Sequence, residues 1–96
     1  MMNMFTIVGR LKDKPKADER GRMDLELIVP RSYKNVDGVY ENDIIKIRLW
    51  KPISTTTEEY CESGDIMGVK GRIQVNDNEI ILVAEKVSFL SNKKEE

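Results

Sequence analysis

The feature that most constrains this chain is an apolar residue at every second position in several separate segments. The alternation is cleanest over residues 22–29, where apolar side chains alternate with arginine, aspartate and glutamate. It recurs over residues 43–50, where a lysine and an arginine share one parity. Successive side chains of a β-strand point to opposite faces, so this pattern predicts strands with one buried and one exposed face. The chain is therefore expected to fold mainly as β-sheet.

Five segments carry this pattern or a related apolar run. Strands are expected at residues 3–12, 22–29, 43–50, 66–76 and 79–90. Each is bounded by residues that favour turns or loops, as strands in small β-proteins usually are.

The links between the strands carry turn and helix signals. Pro30 is expected to end the second strand, because proline donates no hydrogen bond to a sheet. Residues 31–42 then form a long surface loop or a loosely paired hairpin tip. Residues 53–62 follow a proline and carry two glutamates after serine and threonine, which predicts a short helix. Residues 76–78 suit a tight hairpin turn, because Asn and Asp tolerate left-handed backbone angles.

Parity predicts which side chains of the fourth strand are buried. Met67, Val69, Ile73 and Val75 are expected to face the core, and the lysine, arginine and glutamine between them to face outward. The two glycines of this strand would allow it to coil.

The order of the elements predicts the fold. Three strands, a short helix and two more strands are the elements of an all-β, five-stranded oligonucleotide-binding (OB) Greek-key barrel with its helix between strands 3 and 4. Periodicity alone also allows another five-stranded barrel or a sandwich. Residues 1–90 are expected to form the OB-fold domain, and residues 91–96 a short charged C-terminal end.

The composition argues against an enzyme. The chain has no histidine and one cysteine, Cys61, so Cys–His and Ser–His pairs and histidine-based zinc sites are excluded. No glycine-rich phosphate loop or paired acidic motif is present. We therefore expect no catalytic residue, no metal and no cofactor. A membrane span and a secretory signal are not expected either, which predicts a cytoplasmic protein.

The charge balance does not by itself indicate a partner. Sixteen Lys and Arg against 17 Asp and Glu give a net charge of −1, whereas nucleic-acid binders are commonly basic. Attraction to phosphate acts over a Debye length of about 8 to 10 Å, so the local grouping of cations matters more than their sum. Lys46, Arg48 and Trp50 share one strand parity. An aromatic and cations on one strand face are what a platform for single-stranded nucleic acid needs.

Local motifs resemble a known family. The chain reads V-G-R-L at 8–11, G-D at 64–65 and V-K-G-R-I at 69–73. These motifs resemble the bacterial single-stranded DNA-binding protein family, whose first strand has the form N-x-x-x-L-V-G-R-L and whose fourth-strand region has the form Y-x-x-K-G-D-x-V-x-V-x-G-R-L. Residues 43–53 are similar to the family's third strand and the start of its helix. The resemblance covers nearly all of 3–90 and implies the OB fold.

The resemblance also implies a binding surface. The family holds single strands by stacking bases on aromatics and by drawing phosphates to Lys and Arg. Trp50 falls where the family usually has a stacking Phe or Trp, Tyr33 falls near another stacking position, and Ile44 replaces a common aromatic. Two further cations in the 31–42 loop are candidates for a clamp that orders on binding. The complete predicted nucleic-acid-binding set is Trp50, Tyr33, Lys46, Arg48, Arg72, Arg10, Lys70, Arg31 and Lys34.

Each of these residues also has a plain structural interpretation. Trp50 is compatible with a core or subunit-interface aromatic, and Tyr33 with an ordinary loop residue. The cations of the third strand are compatible with cross-strand pairing to Asp24 and Glu26, which would partly neutralise the groove.

The leading functional hypothesis is single-stranded DNA binding without strong sequence preference, accessory to replication, recombination or repair. A homo-oligomer, either a dimer or a tetramer, is expected, with replication proteins as further partners. The alternatives are an OB-fold protein-interaction adaptor in a primosome-like or mobile-element complex, and an RNA-binding OB domain. Family members usually carry a long tail with an acidic tip that recruits other proteins. This chain ends S-N-K-K-E-E, so such recruitment is not expected.

Overall fold

Five strands account for most of the residues that the structure describes. The structure is a computed structural model, and it describes residues 1–50, 53, 57 and 59–91. The strands are β1 (Phe5–Leu11), β2 (Met23–Lys34), β3 (Tyr40–Leu49), β4 (Ile66–Asn76) and β5 (Glu79–Ser91).

The strands close into a barrel in the order β1-β2-β3-β5-β4. All neighbouring pairs are antiparallel except β3 and β5, which are parallel. Closure leaves one face of every strand toward the interior, which is the arrangement that period-2 alternation favours. The predicted five-stranded, all-β barrel is confirmed.

The inward parity of each strand supplies the core. Its buried members are Leu11, Met23, Leu25, Leu27, Ile47, Leu49, Cys61, Met67, Val69 and Ala84. Fully burying an aliphatic side chain contributes roughly 1.5 to 3 kcal/mol, so this layer supplies most of the driving force for closure. The outward positions of the same strands are free to form a binding surface.

The second strand is longer than the sequence pattern predicts. Pro30 does not end β2, which continues to Lys34, and β3 begins already at Tyr40. The β1–β2 pairing extends no further along β2 than Ile28. At Pro30, therefore, β1 is not paired with β2, and the missing backbone N–H of the proline costs no hydrogen bond to β1. The β2–β3 register shifts between Pro30 and Lys34, so this extension is irregularly paired. The hairpin-tip alternative for this region is therefore the better description.

The β4–β5 hairpin projects beyond the barrel. Asp77 and Asn78 both have positive φ, 50° and 68°, as a two-residue type I′ turn requires, which confirms the predicted tight turn. Ile73 and Val75 were predicted to be buried, but they are 40% and 64% exposed. The prediction fails because β1 pairs with β4 only as far as Gly71. The outer half of the hairpin therefore extends past β1, and its inward side chains are left exposed.

The predicted helix at 53–62 lies partly outside the described residues. Ile53, Thr57, Glu59 and Tyr60 are helical, whereas Cys61 and Glu62 are not. Among the residues that the structure describes, no helix has the length and apolar character needed to cross a membrane.

Candidate nucleic-acid interface

The outer face of β3, β5 and β4 brings together several of the predicted binding residues. Arg48 on β3 is in register with Val83 on β5, and Val83 is in register with Arg72 on β4. Neighbouring strands lie about 4.8 Å apart, so the two arginines stand roughly 10 Å apart across the surface. Trp50 follows β3 by one residue, beside the same stretch of β5. This group of outward positions is called the β3–β5–β4 face below.

Trp50 is anchored at the edge of this face. Its indole Nε1 donates a hydrogen bond of 2.9 Å to the backbone oxygen of Ala84 on β5. The side chain is 49% exposed, so it is not a core residue. A ring fixed by its polar edge and half open to solvent loses little further freedom when a base stacks on it. The geometry is what a stacking platform requires.

Arg48 and Arg72 both have carboxylate partners. Arg48 Nε donates a hydrogen bond of 2.6 Å to Asp24 Oδ1, between directly opposed positions of β2 and β3. Arg72 Nη1 lies 3.1 Å from Glu85 Oε2, and Arg72 Nη2 donates to Gln74. These pairs hold the guanidinium groups in place and offset part of their charge. The cross-strand pairing anticipated for Arg48 is therefore present.

Lys46 is less neutralised than Arg48. Its register partner Glu26 is 4.0 Å from Lys12 Nζ, and within the described part of the chain no carboxylate lies within ion-pair distance of Lys46. Lys46 is exposed and borders a shallow depression that also includes Asp24 and Ile81. It adds a cation to the β3–β5–β4 face.

The tip of the β2–β3 hairpin holds a second, separate group. Tyr33 is 64% exposed, and Lys34 Nζ lies 5.7 Å from the centre of the Tyr40 ring. Tyr40 was not part of the predicted set. One cation and two exposed aromatics are thus grouped at the tip of the β2–β3 hairpin.

Arg31, in the same hairpin, is held by two carboxylates. Its Nη1 lies 2.7 Å from Glu41 Oε1, and its Nη2 lies 2.9 Å from Asp43 Oδ1. The hydrogen bond from Arg31 holds the pKa of the Asp43 carboxyl below its usual value and raises the pKa of the guanidinium. This network stabilises the hairpin base, and it offsets part of the charge of Arg31.

Arg10 and Lys70 lie on other parts of the outer surface. Arg10 is exposed on β1 and borders a cavity of about 290 Å³ with Ile28, Pro30 and Asn42. Lys70 is exposed on β4, directly opposite Lys86 on β5. Lys86 was missed by the sequence analysis, because it shares its parity in the fifth strand with the buried Ala84, and only the register shift between Lys70 and Gly71 brings it to the outer surface.

Ile44, the position where the resemblance implies a lost aromatic, is 54% exposed on the outer face of β3. Ile28 lies directly opposite it on β2. The outer surface of β2 and β3 is thus aliphatic around Ile28 and Ile44. Further along the same two strands, Asp24 and Arg48 form an ion pair in which their charges offset each other.

Comparison with known proteins places this barrel in a family. Residues 2–87 match the model of the family described as "Single-strand binding protein family". This chain belongs to that family. The match spans the first four strands and most of the fifth, and it confirms the resemblance inferred from the motifs.

Curated members of the single-strand binding protein family are similar over most of the chain. The single-stranded DNA-binding protein B of Bacillus subtilis is 36% identical over 83 residues, which cover 82% of this chain and 74% of that protein. The single-stranded DNA-binding protein 1 of Clostridium acetobutylicum is 28% identical and covers 98% of each chain.

Solved structures establish the same fold. A mitochondrial single-stranded DNA-binding protein of S. cerevisiae superposes with a TM-score of 0.71 at 20% identity, over 96% of this chain and 99% of that chain. A deletion mutant of the single-stranded DNA-binding protein from Thermus aquaticus gives a TM-score of 0.69 at 18% identity, over 96% of this chain and 52% of that chain. The OB fold predicted from the order of elements is confirmed.

Proposed function

We propose that this chain binds single-stranded DNA without strong sequence preference and catalyses no reaction. The observation that carries the proposal is the placement of Trp50, Arg48 and Arg72 on one outer face of the barrel. Stacking on an aromatic and attraction of phosphates to cations suffice for binding that does not read base sequence. Membership of the single-strand binding protein family and the names of the curated relatives support the same conclusion.

Within this proposal, the nine predicted residues have unequal roles. Trp50 supplies the stacking surface, Arg48 and Arg72 flank it, and Lys46 and Lys70 extend the positive charge. Tyr33 and Lys34 form an arm at the tip of the β2–β3 hairpin. Arg10 and Arg31 contribute least, because Arg10 lies apart from the β3–β5–β4 face and Arg31 is held by two carboxylates.

The cellular role that fits this activity is protection of single strands during replication, recombination or repair in the cytoplasm. A homo-oligomer, a dimer or a tetramer, would lengthen the bound strand, since one OB fold covers only about 4 to 16 nucleotides. Other replication proteins are the natural partners of such an assembly.

The test is a titration of the intrinsic fluorescence of Trp50, the chain's single tryptophan, with oligo-dT at two salt concentrations. Quenching that weakens as salt rises is expected, because phosphate contacts release bound counterions. Unchanged fluorescence and no binding to a labelled oligonucleotide by a folded protein would refute the proposal. Stronger competition by oligo-rU than by oligo-dT would instead indicate an RNA-binding domain.

Substitution of Trp50 tests the stacking role. Trp50→Ala should cost roughly 1 to 3 kcal/mol of binding, the usual loss when a stacking aromatic is removed. Trp50→Phe keeps an aromatic ring but removes the hydrogen bond to Ala84, so it should retain most of the affinity. Binding is measured by anisotropy of labelled oligo-dT, and stability by thermal melting. Loss of affinity that simply follows loss of stability in both variants would contradict the stacking role.

The protein-interaction adaptor is the second candidate. The observation that favours it is the aliphatic pair of Ile28 and Ile44 on the outer surface, at the position where the family commonly has an aromatic. A chain that fails to bind any single strand in the titration above would point to this alternative.

A further inference from the structure

The β4–β5 hairpin continues past the end of β1. The β1–β4 pairing runs from Arg10 and Ile66 to Phe5 and Gly71, whereas β4 itself continues to Asn76. Within the described part of the chain, no strand pairs with this edge of β4 beyond Gly71. An unpaired edge offers its backbone N–H and C=O groups to any other strand, so proteins usually block such edges.

The side chain of Asn3 occupies this edge of β4. Its Nδ2 donates a hydrogen bond of 2.7 Å to the backbone oxygen of Ile73, and its Oδ1 accepts one of 2.7 Å from the backbone nitrogen of the same residue. In the register that pairs Phe5 with Gly71, residue 3 would face Ile73. An amide side chain has a donor and an acceptor, as a peptide group has. Asn3 therefore makes with its side chain the two bonds that a longer β1 would make with its backbone, and this arrangement is called the Asn3 clamp below.

The outer half of the hairpin is apolar on one face. Ile73, Val75 and Ile80 are all exposed, with Ile80 at 74%. Val75 is in register with Ile80, and Ile73 with Leu82, so the four side chains form one strip. Residues 73–76 read I-Q-V-N and contain neither a charge nor a proline. Uncharged segments of high β-propensity on an open edge are prone to pair with other chains.

A second copy of this chain fits this edge. The N–H and C=O of Ile73 point toward Asn3, and by the alternation of a strand those of Val75 point to the same edge. Two β4 edges placed antiparallel about Gln74 would set Ile73 of each copy opposite Val75 of the other. Both hydrogen-bonded pairs of this arrangement need the backbone groups of an Ile73. The Asn3 clamp occupies these groups, so it blocks both pairs.

We propose that Asn3 guards the open edge of β4, and that its side chain prevents the β4–β5 hairpins of two copies from joining into one continuous sheet. The inference concerns association between copies and does not depend on DNA binding. The guarding residue lies ahead of β1, so displacement of the N-terminal segment would open the edge to a second copy.

The test removes the clamp and follows self-association. Asn3→Ala frees both backbone groups of Ile73, and Asn42→Ala is the matched control that removes an exposed asparagine from β3. Sedimentation velocity of the full chain is measured without DNA over a wide range of protein concentrations. Asn3→Ala should form species larger than the wild type, in a proportion that rises with concentration. Asn42→Ala should sediment like the wild type.

A second substitution shows whether the larger species form through this edge. Val75→Lys places a charge within the expected contact, and a charged side chain on an edge strand opposes pairing. The side chain of Val75 is mostly exposed, so lysine should be tolerated there. Asn3→Ala/Val75→Lys should therefore sediment like the wild type.

Hydrogen exchange tests the clamp itself. Asn3→Ala/Val75→Lys is compared with Val75→Lys, because neither variant should self-associate. Loss of the clamp should speed exchange of the Ile73 amide by about tenfold, since its hydrogen-bond acceptor is removed. The amide of Val69, which lies opposite Ile7 in the β1–β4 ladder, should exchange equally in both variants and so controls for a general loss of stability.

Four results would overturn the inference. Sedimentation of Asn3→Ala like the wild type at every concentration would mean that the clamp guards nothing. Larger species that persist after Val75→Lys would arise from another surface or from unfolded chains. Species smaller than the wild type would make Asn3 part of a contact between copies. Unchanged exchange of the Ile73 amide would mean that the clamp does not form in solution.

Discussion

The glycine at position 71 offers a sharp test of the barrel. A Cβ placed there would fall inside contact distance of the backbone oxygen of Val83 and lie 2.9 Å from Phe5 Cε2. Gly71 is also the position just before the β-bulge, where β4 is paired to β1 on one side and β5 on the other. We therefore predict that Gly71→Ala forces β4 and β5 apart.

The expected loss of stability in Gly71→Ala depends on which neighbouring atoms can be displaced. Overpacking a filled interior costs about 1 to 3 kcal/mol when side chains give way. Here the main obstacle is a backbone carbonyl in the β4–β5 ladder, so its displacement also strains or breaks a sheet hydrogen bond, which adds about 1 to 3 kcal/mol. The free energy of unfolding should fall by roughly 2 to 6 kcal/mol. At about 4 to 8 °C per kcal/mol for a domain of this size, the melting temperature should fall by at least about 8 °C.

Gly68→Ala is the matched control on the same strand. Its nearest neighbours to an added Cβ are Leu90 Cδ1 at 3.5 Å and Val8 Cγ2 at 3.8 Å, which are ordinary contacts. Alanine also restricts the unfolded chain, so this variant should change stability by less than about 1 kcal/mol. Both variants are measured by urea unfolding and by thermal melting followed by circular dichroism. Equal stabilities for Gly71→Ala and Gly68→Ala would refute the close approach of the strands.

Two further predictions concern charged groups. Asp24→Asn should release Arg48 from its carboxylate partner, so that Arg48 can contact a phosphate. The slope of log affinity for oligo-dT against log salt, measured by anisotropy, should then become steeper by about 0.7. An unchanged slope would mean that Arg48 contacts no phosphate. Arg31 lowers the pKa of Asp43 below the ordinary 3.8, so this pair stabilises the fold above that pH and the contribution is lost as pH falls through the lowered value. In Arg31→Gln the Asp43 pKa, followed by carboxyl NMR titration, should return toward 3.8, and a value as low as in the wild type would contradict the assignment.

Local patterns were sufficient to predict most of the fold. Alternation of apolar and polar residues depends only on the backbone geometry of a strand, so it located β1, β3, β4 and β5 to within a few residues. It correctly placed Met67 and Val69 of β4 in the core, but it was wrong for Ile73 and Val75, which are exposed. The turn at residues 76–78 was readable because only a few residue types tolerate positive φ. The error at Pro30 arose because a proline disrupts a sheet only where a neighbouring strand would accept a hydrogen bond from the backbone N–H that proline lacks. Whether such a strand is present depends on where the β1–β2 pairing ends, and the local sequence of β2 does not show this.

The sequence also predicted only part of the candidate site. Parity placed Lys46, Arg48 and Trp50 outward, and the structure agrees. Parity gives no information about distant strands, so it did not show that Arg72 lies across β5 from Arg48, or that Trp50 is hydrogen-bonded to Ala84.

The sequence by itself determined how the residues of each strand alternate between two faces, because that alternation depends on the backbone of the strand alone. Tertiary structure decided which of those residues meet, because pairing depends on register. The hairpin turn predicts that Lys70 faces Glu85, and that arrangement would have hidden its charge. Because β5 has one extra residue at this point, Lys70 faces Lys86 instead, and Glu85 forms an ion pair with Arg72. Within the described part of the chain, the two lysines therefore lie side by side with no carboxylate within ion-pair distance.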